Sequence, residues 1–148
     1  DWSSDVCSSD LWREHQSPLI LREALLVSFF LAGLVVLGGL QQWWLEPMLL
    51  SLSPDTVFYG AMALTAITDN AAITYLGSLV PGLSQEFKVA LVSGAVTGGG
   101  LTLIANAPNP AGAAILKAYF PDNTIAPTRL LLAAIAPTLV ATWAFRWL

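Results

Sequence analysis

"AMALTAITDNAAITYLGSLVP", residues 61–81, is apolar on both sides of Thr68, Asp69 and Asn70. How this stretch folds decides the architecture. The run from Pro54 to Ile67 would make about 21 Å of helix at 1.5 Å per residue, and Ala71 to Val80 another 15 Å or so. Neither half alone crosses a hydrocarbon core of about 30 Å. Two readings fit. One is a single helix with three polar residues at mid-depth. The other is a helical hairpin with Thr68-Asp69-Asn70 at its tip, where Asp and Asn bond their own backbone and tolerate turns. Periodicity does not choose between them. Before the stretch, Ser53 is placed as an N-cap, with Pro54 at the first helical position and Asp55 in the electropositive first turn. After it, Pro81-Gly82 stops the second half.

Composition says what solvent surrounds these residues. The 148-residue chain is 55% hydrophobic and 11% charged, with a mean hydropathy of +0.66. A soluble domain carries about 25% charged residues, so the expectation is an all-α integral membrane protein with room for about four or five passages. The opening "DWSSDVCSSDL", residues 1–11, is polar and Ser-rich, and resembles translated adapter sequence. It is set apart from residues 12–148, which read as one transmembrane repeat lacking whatever preceded it. The net charge of −4 includes Asp1, Asp5 and Asp10 of this leader, so the remainder is close to neutral. That excludes a strongly charged partner such as nucleic acid. The single cysteine, Cys7, lies in the leader, which excludes an internal disulfide or a thiolate metal centre.

Working outward, residues 24–45 are expected to form one spanning helix. Arg13, His15, Arg22 and Glu23 precede it, and Trp43 and Trp44 mark its interfacial end. Residues 88–96 read as helix, which Gly98-Gly99-Gly100 weakens and Asn106-Ala107-Pro108-Asn109-Pro110 breaks. A short helix is expected from Ala111 to about Tyr119, a turn at Pro121-Asp122-Asn123, and a last span over 127–147 kinked at Pro137. The chain thus reads as two ordinary spans and two interrupted segments.

The interruptions carry the functional signal. A carboxylate at mid-membrane costs about 2.5–3.5 kcal/mol on insertion scales and marks a functional site by default. The bland alternative is a neutral, hydrogen-bonded packing residue. Irregular backbone at that depth is tolerated only in protein or along a wet cavity, and paired discontinuous segments point to a transporter site. Thr65, Thr68, Asp69, Asn70, Asn106 and Asn109 form an oxygen-rich set suited to a hard cation, with Gly99 and Gly100 offering freed carbonyls. Close helix packing is the competing account of the three glycines, and an ordinary loop that of "NAPNP". Asp69 and Asn70 are the first candidates for Na⁺.

"ITDNAAIT" followed by "GAVTGGGLTLIANAPNP" resembles the second half of proteins in an ion transporter superfamily that includes dicarboxylate, citrate and arsenite carriers and bacterial sodium/proton antiporters. The Asp-Asn pair at the tip is most similar to a bacterial family of sodium/proton antiporters. The resemblance covers about residues 20–148. It implies spanning helices plus a re-entrant hairpin and a broken helix, forming one half of an inverted-repeat transporter. It places Thr68, Asp69 and Asn70 at the hairpin tip, and Gly99, Gly100, Asn106 and Asn109 on the broken helix. "NAPNP" departs from the Thr-Pro-Pro-Asn-like run of the carboxylate carriers, which argues against a carboxylate substrate.

The function expected is Na⁺/H⁺ antiport by a multi-pass protein of a bacterial inner membrane, with no resident cofactor; Na⁺ and H⁺ are the transported ions. Burial disfavours the charge on a carboxylate, so proton and cation would compete for Asp69. The expected partners are the lipid bilayer, the absent N-terminal half and a second copy in a homodimer. One rival is a Na⁺-coupled symporter of a small, carboxylate-like anion, and another is an assembly subunit that transports nothing. An enzyme is not expected, because an intramembrane aspartyl protease needs two deep carboxylates and Asp69 stands alone.

Overall fold

The computed structural model describes residues 21–148. The leader with Cys7, and the flanking Arg13 and His15, lie outside the described residues. In chain order the helices are α1 (Leu21–Gly39), α2 (Gln42–Leu50), α3 (Pro54–Ile67), α4 (Asn70–Ser78), α5 (Gln85–Gly98), α6 (Asn109–Leu116) and α7 (Pro127–Trp147). Single 3₁₀ turns at Lys117–Tyr119 and Pro121–Asn123 lie between α6 and α7. No strand occurs among the described residues. The chain divides into two units between Gly33 and Leu34. In the first, Leu21–Gly33 is helical and exposes Leu26 and Phe29. The end of α1 and all of α2 to α7 belong to the second unit.

The expected span over 24–45 is not one helix. α1 ends at Gly39, and a separate helix, α2, begins at Gln42. Gly38 and Gly39, poor helix formers, end the helix. Leu40 and Gln41 then close tight turns onto the carbonyls of Leu37 and Gly38. The indole Nε1–H of Trp44 donates to Gln41 Oε1 at 2.6 Å, so both tryptophans belong to the new helix and do not finish the old one. Among the described residues, α7 alone is long and apolar enough by itself to cross a membrane. It runs unbroken through Pro137.

α3 begins and ends where its sequence signals lie. Ser53 is extended and its hydroxyl accepts from the Thr56 amide, Pro54 opens the helix, and Asp55 sits in the first turn. α5 starts in the same way, with the Ser84 hydroxyl accepting from the Phe87 amide. These two helices lie against each other in parallel. Gly94 faces the carbonyl of Phe58 and Gly98 that of Met62, each so closely that a Cβ at the glycine would overlap the oxygen. Further along in the same sense, the Thr102 hydroxyl donates to Ala66 O at 2.7 Å. α4 runs the other way. Its first amide, Asn70, donates to Ala105 O at 3.1 Å, while Gly77 near its end meets Leu91, two turns into α5. The single-helix reading of residues 54–80 is therefore corrected. The helix breaks at Thr68-Asp69 and α4 folds back along α3.

The core forms where the open end of this hairpin meets its neighbours. Leu45 and Leu49 of α2, Val57 and Ala61 of α3, Val80 and Leu83 of the following link, and Phe87 and Leu91 of α5 form one buried cluster. α7 packs antiparallel to α3. Its Arg146 pairs with Asp55 and lies 5.4 Å from the centroid of the Phe58 ring, while Thr142 one turn earlier donates to Met62 Sδ at 3.7 Å.

The glycine contacts set a test. Adding a methyl group at a packed position costs about 1–3 kcal/mol, and at Gly94 or Gly98 the obstacle is backbone that cannot rotate away. Gly94→Ala and Gly98→Ala are each expected to lower the thermal midpoint of the detergent-purified protein. Gly60→Ala and Gly112→Ala, where a Cβ meets nothing within 4 Å, should not. Equal melting of all four variants would mean that α3 and α5 do not touch through their backbones.

Candidate ion-binding site

The break between α3 and α4 is built from local hydrogen bonds. The Thr68 backbone leaves helical geometry (φ −129°, ψ −150°), and its amide donates to the carbonyls of Leu64 and Thr65. Its hydroxyl also donates to Leu64 O, at 2.8 Å. Asp69 is extended (φ −115°, ψ 141°) and caps α4, with Oδ1 accepting from the Ala71 amide at 2.7 Å. The carboxylate thus has a structural duty, because N-caps satisfy amides that a helix leaves free. Only one of its oxygens is engaged by that bond. Asp69 and Asn70 are half-buried, and Thr68 is exposed.

The facing segment is irregular from Gly99 to Pro108. α5 stops at Gly98, and the Gly99 amide closes onto Ala95 O and Val96 O. Asn109 then holds the loop together, its Nδ2 donating to Gly99 O at 2.8 Å and to Thr102 O at 2.9 Å. The Asn109 amide donates to Asn106 O at 3.0 Å. α6 therefore starts at Asn109, two residues before the expected Ala111.

The two interruptions meet. Besides the Asn70–Ala105 backbone bond, a Cβ on Gly99 would lie 3.4 Å from Asn70 Nδ2. Asn70, Gly99 and Asn109 are thus linked in space. Asn106 joins through its backbone carbonyl, and at Gly100 a Cβ would meet nothing within 4 Å. Because α3 and α5 are parallel, both deliver their C-termini here, each carrying a partial negative charge near −0.5. The N-termini of α4 and α6 arrive at the same level, and the first is occupied by Asp69.

One further atom stands out. Thr65 is fully buried, one helical turn before Asp69, and its Oγ1 has no hydrogen-bond partner. Other buried hydroxyls on the adjacent face of α5 are satisfied, Ser93 by Val89 O at 2.6 Å and Thr97 by Ser93 O at 2.7 Å. Among the described residues no three His, Cys, Asp or Glu side chains gather as a metal centre. The oxygen set is one carboxylate with neutral hydroxyl, amide and carbonyl groups.

A protein-family model described as "Putative Na+/H+ antiporter" matches residues 7–148. The chain belongs to this family. No curated protein and no solved structure matches it. Membership in an antiporter family makes the chain a membrane protein, because exchange has meaning only across a barrier. It also explains why apolar side chains as large as Leu132, Leu139 and Trp143 are exposed along α7.

Two contributors to the geometry carry no sequence signal. Ala105 is fully buried and acts through its carbonyl, which no side chain announces. Thr102 reaches Ala66 across 36 positions, a pairing that only the register of α3 on α5 creates. Gly94 went unread, although "GAVTG" places Gly94 and Gly98 one turn apart, the spacing that lets backbones approach.

The Thr65 hydroxyl sets a second test. An unpaired buried polar group costs about 1–3 kcal/mol. Thr65→Val keeps the shape and removes the hydroxyl, so in Na⁺-free buffer it is expected to melt at or above wild type. A clearly lower midpoint would give Oγ1 a partner within the protein.

Proposed function

We propose that this chain exchanges a monovalent cation, Na⁺, for protons across a bacterial inner membrane. Residues 54–80 would be a re-entrant hairpin and residues 85–116 a broken helix, together the site-bearing half of an inverted-repeat transporter. The observation that carries the proposal is the meeting of two interrupted helical segments at the Asn70–Ala105 bond, beside the one carboxylate of the tip, in a member of an antiporter family.

Asp69, ionised, would hold Na⁺ through the oxygen not used for capping. Thr65 Oγ1, the Asn70 side chain and carbonyls of the 99–106 loop would complete the shell. A monovalent hard cation suits this set, because one negative charge and several neutral oxygens balance it. Two helix C-termini add negative potential without adding another titratable group. When a proton takes Asp69, the site loses its charge and Na⁺ leaves; when Na⁺ binds, the proton must go. One carboxylate that takes either ion but not both is the whole coupling device. Asp69 at the start of α4 also disfavours a transported anion there, because the electropositive helix end already holds a carboxylate of the protein.

Capping and titration can be separated. Asn caps a helix about as well as Asp, whereas Ala costs roughly 1 kcal/mol. In everted vesicles carrying the full protein, Asp69→Asn is expected to melt like wild type yet abolish Na⁺-driven proton movement at every pH. Asp69→Ala should lose both exchange and stability. Wild-type exchange by the Asn variant would remove Asp69 from the mechanism and leave it a helix cap.

Re-entrance has its own measurement. Single cysteines in place of Asp55 and of Gly82 should react with a membrane-impermeant maleimide from the same side of the membrane. Opposite-side labelling would overturn the hairpin's placement.

A further inference from the structure

Lys88 lies in the first turns of α5 at an end of the fold where charge collects. α3 begins there with Asp55, α5 with Glu86 and Lys88, and antiparallel α7 finishes there with Arg146. In a membrane protein such a ring of charges belongs at the water interface. Asp55 and Arg146 satisfy each other. Lys88 has no ion-pair partner among the described residues, and its side chain is exposed. Glu86, two positions away, projects from nearly the opposite side of the helix.

Two apolar grooves meet at this lysine. One, of about 380 Å³, follows α5 from Gln85 through Val89 and Val92 to Val96, with Phe145 of α7 as its other wall. The eleven helical steps from Gln85 to Val96 make it about 16 Å long. The other, of about 440 Å³, lies between α4 and α5, from Pro81 to Thr74, with Leu83 and Leu91 in its wall. Lys88 and Val92 line both, so the grooves flank one ridge of α5. Their hydroxyls are satisfied internally. Ser93 donates to Val89 O at 2.6 Å, Ser78 to Tyr75 O at 2.7 Å and Thr74 to Asn70 O at 2.9 Å. What remains for an occupant is hydrocarbon along the walls and one ammonium at the shared mouth.

We propose that Lys88 binds the phosphate of an anionic diacyl phospholipid whose two acyl chains lie in the grooves on either side of α5. Charge complementarity selects the headgroup, and the divergence of two apolar grooves from one cation selects a two-chain lipid. The assignment rests on the membrane placement that family membership provides and not on ion exchange, so loss of exchange in any variant leaves it standing.

The test is native mass spectrometry of the full protein purified in mild detergent and titrated with phosphatidylglycerol or with phosphatidylcholine of the same chains. Phosphatidylglycerol should be retained preferentially. Lys88→Gln should weaken its retention about fivefold, the worth of one basic residue at an anionic surface, and Lys88→Arg should restore it. Lyso-phosphatidylglycerol should bind less well, and glycerol phosphate not at all. Equal retention of the two diacyl lipids, indifference to Lys88→Gln, or glycerol phosphate binding as well as the lipid would overturn the proposal.

Discussion

The fold hangs on one contact, the approach of α5 to α3 with no side chain between them. Gly94 and Gly98 let the α5 backbone reach the carbonyls of Phe58 and Met62. In a bilayer, lipid tails are as apolar as leucine, so helices gain little by hiding apolar surface from one another. Close packing and interhelical hydrogen bonds must hold them together. The contact also sets register. Once Gly94 sits on Phe58 and Gly98 on Met62, the next turn brings Thr102 to Ala66 and the loop beyond it to the end of α3. A slip of one residue along α5 would drive a side chain into the α3 backbone, so the register admits no near alternative.

The second constraint is that broken helices leave amides and carbonyls without partners, and lipid supplies none. The chain supplies partners at both interruptions, some within a turn and some across the fold. Thr68 folds its amide and its hydroxyl back onto the last turn of α3. Asp69 caps α4. Asn109 gathers the carbonyls of Gly99 and Thr102, and Ala105 O accepts the Asn70 amide. The polar residues of both interruptions are therefore first the reason the breaks can exist. The proposed ion site would draw on the same groups, because capping uses one carboxylate oxygen and one face of a carbonyl and leaves the others available. Thr65 is the exception, since its hydroxyl serves no backbone group.

This division explains what could be read from the sequence. The bounds of α3 were legible because Ser53, Pro54 and Thr68 are local signals, each acting within one turn. The last helix was legible over 127–147 because Pro127 opens it and no charge interrupts the apolar run from Leu130 to Phe145. The reversal at Thr68-Asp69 was one of two readings, and it took the Asn70–Ala105 and Gly77–Leu91 contacts, both long-range, to choose. The end of α1 at Gly39 was missed because the apolar run continues past it. Hydropathy records what lipid tolerates, while two adjacent glycines and a Gln41–Trp44 bond decide where the helix ends. Of the candidate oxygens, those on side chains could be named in advance. Ala105 could not, because a carbonyl belongs to every residue and only tertiary register selects one.

Such selection bears on how the hairpin could move. Its tip is held to the broken segment by two hydrogen bonds, Asn70 to Ala105 and Thr102 to Ala66. Its base is held to α7 by the Asp55–Arg146 pair and the Phe58 stack. The backbone contact with α5 lies between these two sets. A motion that separated α3 from α5 would break the contact on which the register depends, whereas a motion of α3, α4 and α5 together would preserve it. A movement of the proposed transporter is thus expected to carry α3, α4 and α5 as one body. The flexible joints would then lie where the backbone is already irregular, at Leu40-Gln41 before the body and around Pro121–Asn123 after it, where Asp122 and Asn123 take positive φ. Both joints are remote in sequence from Asp69, so the meeting of the two interruptions can keep its geometry while the body that holds it changes position.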